Sequence, residues 1–110
     1  MIYLASPYSH ESVHIRRLRY RMATQYAAEC IITRQECVFS PIVYAHDMAE
    51  LFNLPFDAAT WAGFNDEMQK ACSTLRVLKL PGWEESKGVT AEIALAESLG
   101  QQIEYVEAAL

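Results

Sequence analysis

Two rhythms of apolar and polar positions run along this chain. Residues 1–5 (MIYLA) form a short apolar run that stops at Ser6-Pro7. Proline cannot continue a central strand, so a buried first strand is expected there. From about residue 10 to 34, Val13, Ile15, Leu18, Met22, Tyr26 and Ile31 recur at mostly helical spacing, with Ser9 or Ser12 available as a cap. The other face of that helix carries Arg16, Arg17, Arg19 and Arg21. Residues 36–40 (ECVFS) read as a second strand stopped by Pro41, and residues 46–52 as a short helix before the break at Asn53-Leu54-Pro55. Asp57 opens a further helix through Ala71. Residues 75–80 (LRVLKL) form a third strand stopped by Pro81-Gly82, and residues 88–99 form a helix closed by Gly100. Residues 103–106 are a last short strand. The order βαβααβαβ predicts one α/β domain over residues 1–110, with a parallel sheet and helices on both faces.

In such sheets the ligand lies outside the carboxyl ends of the strands. That rule selects residues 6–10, 40–46 and 81–92 before any chemistry is considered. A chain of 110 residues builds one core without disulfides or metal, and 52% apolar content excludes disorder. The net charge of −5 argues against a nucleic-acid polymer as partner, because counterion release needs a basic face. The arginine run reads either as a solvated helix face or as the source of one inward arginine that meets an anion. Cys30, Cys37 and Cys72 are odd in number and lack a C-x-x-C spacing, so buried, reduced thiols in the cytoplasm are expected. The apolar stretches are too short to span a bilayer, and no basic region precedes an apolar run at the N-terminus. Neither a membrane partner nor a signal peptide is expected.

The densest candidate chemistry follows the third strand. In Ser86-Lys87-Gly88-Val89-Thr90-Ala91-Glu92 a turn opens a helix, whose free backbone N–H groups attract anions. The spacing fits neither a Walker loop nor a dinucleotide fingerprint. Glu92 is expected in the first helical turn, where the dipole favours its ionised form and makes it a candidate nucleophile. Ordinary helix-start chemistry explains a glutamate there equally simply. Asp66 lies in the preceding helix, and two carboxylates flanking an anomeric carbon are the usual equipment for glycosidic cleavage. Tyr3, inside the first strand, either packs in the core or turns its hydroxyl toward a carboxylate. Tyr8 and Trp83 sit on strand-end loops, where rings stack on flat ligands or cover the core. His10 and His14 have a metal-compatible i, i+4 spacing, but no acidic or cysteine partner is evident nearby, so no metal is expected. His46 is a lone histidine at a helix start.

Taken in order, the segments carry a resemblance. They are residues 1–10 (MIYLASPYSH), Phe39-Ser40-Pro41-Ile42 with His46, Asp66 on a helix, Leu80-Pro81-Gly82-Trp83, and Ser86-x-Gly88-x-x-x-Glu92. Over residues 1 to about 106 the chain resembles the nucleoside 2-deoxyribosyltransferase-like superfamily. The likeness is greatest to small bacterial and phage members related to the 2′-deoxynucleoside 5′-monophosphate N-glycosidases. The resemblance implies a flavodoxin-like three-layer sandwich of about five parallel strands. It also implies chemistry at C1′ of a deoxyribonucleoside or its 5′-monophosphate, with no cofactor. By match, Glu92 attacks C1′ and forms a glycosyl-enzyme, Tyr3 holds that carboxylate, and Asp66 contacts base or sugar and assists proton transfer. Ser86 matches the phosphate-binding serine of the glycosidases, where the transferases carry an aspartate. The glycosidases have Gly-Ser-Ile-Arg after the first strand, whereas this chain reads Ser6-Pro7-Tyr8-Ser9. A phosphate grip therefore falls to Ser9, His10, Lys87 or an arginine of the first long helix. The expected substrate-binding set is Ser6, Tyr8, Ser9, His10, His46, Trp83, Ser86, Lys87 and Gly88. A homodimer or higher homo-oligomer is implied. The alternative on the same fold is a non-catalytic nucleotide-binding or sensor module.

Overall fold

A computed structural model describes residues 1–108. Eight elements follow one another: β1 (Ile2–Ala5), α1 (Val13–Thr33), β2 (Val38–Phe39), α2 (Pro41–Leu51), α3 (Ala58–Lys70), β3 (Thr74–Leu78), α4 (Lys87–Leu99) and β4 (Gln102–Val106). The four strands are all parallel, in the order β2-β1-β3-β4. The alternation of side chains along each strand divides the core between two faces. Tyr3, Ala5, Leu75 and Val77 pack with Val89 and Ala96 of α4, and Met68 of α3 joins them. Leu4 and Leu78 pack on the opposite face with Tyr26, Ala27 and Cys30 of α1. The result is a flavodoxin-like three-layer α/β sandwich.

Several expectations are corrected. The sheet has four strands among the described residues, in the element order that the periodicity predicts, rather than the roughly five that the resemblance implies. Helix α2 starts at Pro41, not near residue 46. Ser40 caps it by accepting the Val43 N–H, and proline suits the first helical position, where its missing N–H costs nothing. Strand β2 keeps only two residues. Gln35 turns the backbone at φ 55°, and Glu36 leaves the ladder to take the Arg76 guanidinium in a two-pronged pair at 2.8 Å. Arg76 also binds Glu104 at 3.1 Å, so the charge inside β3 is fully paired on the α1 face. Cys30 and Cys72 are buried thiols as expected, but Cys37 is exposed. No helix among the described residues is long and apolar enough to cross a membrane.

From β1 the chain crosses to β2 at one edge of the sheet, then returns to lay β3 on the other side of β1. Loops leaving β1 and β3 therefore diverge, and a crevice opens at that switch point. Arg19, half-buried on α1, ties the two loops together. It donates to the Tyr8 and Ser9 carbonyls at 3.4 and 3.0 Å and to the Pro81 carbonyl at 3.2 Å. Gly82 meets this guanidinium at φ 90°; a Cβ there would stand 2.6 Å from Arg19 Nη2.

Candidate active site

The crevice is a cleft of about 500 Å3, within the usual range for small-molecule sites. All three segments selected by the strand-end rule line it. Ser6, Tyr8 and Ser9 come from the loop after β1, Ile42 and His46 from α2, and Ser86, Lys87, Gly88 and Glu92 from α4. Helix α3 supplies the wall facing α4. Asp57, Trp61, Asn65 and Asp66 recur there at helical spacing and all reach the cleft, beside Phe56. Of these only Asp66 was singled out from the sequence. The period that joins it to Trp61 and Asp57 was readable, but nothing local said that this face looks onto a cavity rather than solvent.

Glu92 is partly buried on the cleft wall. Because α4 begins at Lys87 under a Ser86 cap, Glu92 falls in the second turn, beyond the reach of the helix dipole. The expectation of a dipole-favoured ionised carboxylate is overturned. Burial pushes the carboxyl up to about 8, against a lowering contribution from Tyr3 and a further rise from the charge of Asp66. The Glu92 carbonyl accepts the Gln69 side-chain N–H at 2.7 Å, and Gln69 is bonded in turn to Gln101. This buried amide pair fixes the backbone from which Glu92 projects. Tyr3 does not line the cleft; it stands beneath it, fully buried in the sheet. Burial and then the Glu92 charge raise its phenol well above the usual range. Its hydroxyl lies close enough to Glu92 for each to perturb the other, yet it has no formed hydrogen bond among the described residues. The Ser6 hydroxyl, buried on the cleft wall, is likewise unpartnered.

Other candidates are already engaged. The Ser86 oxygen accepts the Val89 N–H at 3.2 Å, which leaves its O–H free to donate. Ser9 donates to the Phe56 carbonyl at 2.9 Å and so pins the segment between α2 and α3 against the β1 loop. His10 lies outside the cleft, exposed, where its Nδ1 accepts the Ser12 N–H. It precedes α1, so it does not share a helix with His14. Trp83 is also outside; it packs against the core and tilts against the Tyr105 ring at 5.8 Å. No arginine among the described residues lines the cleft. Arg16 spans the His10 and Glu11 carbonyls and lies over the Phe56 ring, and Arg17 pairs with Glu50 at 3.0 Å. The described residues bring together no group of three or more His, Cys, Asp or Glu with metal-site geometry.

One family model, Domain of unknown function (DUF1937), matches residues 1–108. The chain belongs to the DUF1937 family. No curated protein matches it significantly. The match takes in every element of the fold and every residue of the cleft, so in this DUF1937 domain the cleft lies within the family unit itself.

Proposed function

We propose that this protein cleaves or transfers the N-glycosidic bond of a deoxynucleoside 5′-monophosphate or nucleoside, with Glu92 as the nucleophile at C1′. One observation carries the reading. Glu92 stands on the wall of a ligand-sized cleft, with a carboxyl raised to about 8, beside the orphaned hydroxyl of Tyr3 and the charge of Asp66. Perturbed carboxyl groups of this kind cluster at reactive centres. Once ionised, Glu92 is a stronger acceptor for the Tyr3 hydroxyl, and two carboxylates then face the positive charge that develops at C1′. The carboxylate oxygen bonds to C1′ as the C1′–N bond breaks, and the base leaves with that electron pair. Water then attacks C1′ and frees Glu92; a second base in place of water gives transfer. The free Ser86 O–H, Lys87 and the open N–H groups of α4 fit a 5′-phosphate. A homo-oligomer belongs to the same reading, with Leu51 and Phe52, about three-quarters exposed, offering apolar surface.

The test is incubation with the four deoxynucleoside monophosphates and the matching nucleosides, with released base measured by chromatography. Release from one of them, lost in Glu92→Gln, is expected. A non-catalytic nucleotide-binding module is the second reading, favoured by a Glu92 carboxyl that is mostly protonated at neutral pH. Tight nucleotide binding without release, unchanged in Glu92→Gln, would establish it instead.

A further inference from the structure

A departing nucleobase needs a proton, and a second group of residues on the cleft is arranged to supply one. Tyr8 and His46 are 38 positions apart in the chain, yet the Tyr8 hydroxyl lies 2.6 Å from His46 Nδ1. Both residues line the cleft. The imidazole is 3% exposed, with one face and one edge met by tyrosine rings. Tyr20 stacks on it with centroids 4.0 Å apart and planes 16° from parallel, while the Tyr8 ring meets it edge-on. The far nitrogen, Nε2, faces Glu50 Oε2 at 3.7 Å, and Arg17 holds the other Glu50 oxygen at 3.0 Å. A histidine retained only for packing has no need of a hydroxyl at the cavity on one nitrogen and an anchored carboxylate behind the other. Hydroxyl, imidazole and carboxylate in series form the arrangement that passes a proton along a line.

We propose that Tyr8, His46 and Glu50 are a proton relay in which Tyr8 protonates the departing nucleobase. The assignment rests on the glycosidic reading of Glu92. With the imidazole doubly protonated, Nδ1–H donates to the Tyr8 oxygen and the Tyr8 O–H is free to point into the cleft. As the C1′–N bond breaks, Tyr8 gives its proton to the base nitrogen and takes the Nδ1 proton in return. His46 is left neutral, with its remaining proton on Nε2 toward Glu50. Before the step, the Glu50 carboxylate offsets the imidazolium charge. In the second half the relay runs backward. The attacking water passes a proton to Tyr8 while Tyr8 returns its own to Nδ1, and the bond from C1′ to Glu92 breaks as the new C1′–O bond forms. The charged groups around the pair are Glu50 and Asp47 on α2 and Arg16 and Arg17 on α1. Tyr8 and His46 are thus catalytic residues, and Glu50 is a positioning residue.

The relay is tested by comparing two leaving groups on the same 2-deoxyribosyl 5-phosphate: the natural base, which needs a proton, and p-nitrophenolate, which does not. Tyr8→Phe and His46→Gln should slow base release about 100-fold more than p-nitrophenolate release, in line with the usual worth of a general acid. Glu50→Gln should give a smaller split in the same direction. Equal slowing of both leaving groups, or no slowing of either, overturns the relay while leaving Glu92 in place. If the wild type releases neither leaving group, the glycosidic reading fails and takes the relay with it. Nitrogen-15 spectra of labelled histidine give a readout apart from turnover. In the free protein, Tyr8→Phe should displace the His46 Nδ1 resonance, and an unmoved resonance refutes the hydrogen bond on which the relay depends.

Discussion

Replacing Glu92 by glutamine should make the protein more stable, and the gain should depend on pH. The carboxyl is raised from 4.5 to about 8 in the folded state, chiefly by burial. A folded-state value above the unfolded one means that the native protein holds its proton where the unfolded chain has released it. Between those limits stability falls as pH rises. Wild-type stability is therefore untouched by this group below about pH 4.5 and is lost progressively up to about pH 8. A difference of 3.5 between the two values corresponds to about 5 kcal/mol at full effect. Linkage ties the energy to the same two values, so a gain of this order, about 5 kcal/mol, is expected by pH 9. For a domain of this size that is a rise in Tm of about 20 °C. Thermal melts of both proteins at pH 5, 6, 7, 8 and 9 read the effect directly, since every other titrating group is shared. The curves should nearly coincide at pH 5, separate through pH 8, and run parallel beyond it. Curves that stay parallel from pH 5 to 9, or a mutant that loses stability as pH rises, would refute the claim that burial of Glu92 sets its charge.

Two further predictions follow from neighbouring groups. Asp66→Asn removes a charge that raises Glu92, so the Glu92 midpoint should drop below 8; carbon-13 titration of the glutamate carboxyl carbons checks this. Ser86→Ala removes the cap of α4 and should cost about 1 kcal/mol of stability, read as a Tm lowered by about 5 °C. If its O–H also meets phosphate, the same variant should raise KM for the monophosphate more than for the nucleoside.

Periodicity was enough to read the layered fold. The apolar runs of β1 and β3, the helical spacing of Val13 to Ile31 and the Gly100 stop each report a local preference. The errors arose where two local meanings compete. Ser40-Pro41 ends a strand and also starts a helix, and only the second meaning fixes the length of α2. Gly88 opens a turn, yet the helix begins one residue earlier at Lys87. That shift takes Glu92 out of the first turn, and burial on the cleft wall raises its carboxyl where the dipole was expected to favour ionisation. The remainder was illegible because it is non-local. Arg19 reaches a carbonyl 62 positions away, and Arg76 reaches a carboxylate 40 positions away. His46 looks solitary in the chain, and its role depends on a tyrosine that only the closing of the sheet brings to it.

The sign of the charge in the cleft bears on which chemistry it suits. Asp57, Asp66 and Glu85 line it beside Glu92, whose burial favours the neutral form, against Lys87. The nearby cations are committed elsewhere: Arg16 and Arg19 to carbonyls of the strand-end loops, Arg17 to Glu50. An acid-rich wall repels a dianion in the ground state and attracts a sugar that becomes cationic at C1′. Interactions stronger in the transition state than in the bound substrate are the ones that raise the rate. This sign of charge is the one that the proposed reaction at an anomeric carbon needs, and only the α4 end of the cleft offers groups that suit a phosphate. Under that proposal, a 5′-phosphate held there would fix the sugar by one end and leave C1′ to the carboxylates. An arginine of the first long helix, one of several alternatives for the phosphate grip, is then unnecessary: a tight hold on the dianion would deepen the ground state without lowering the barrier at C1′.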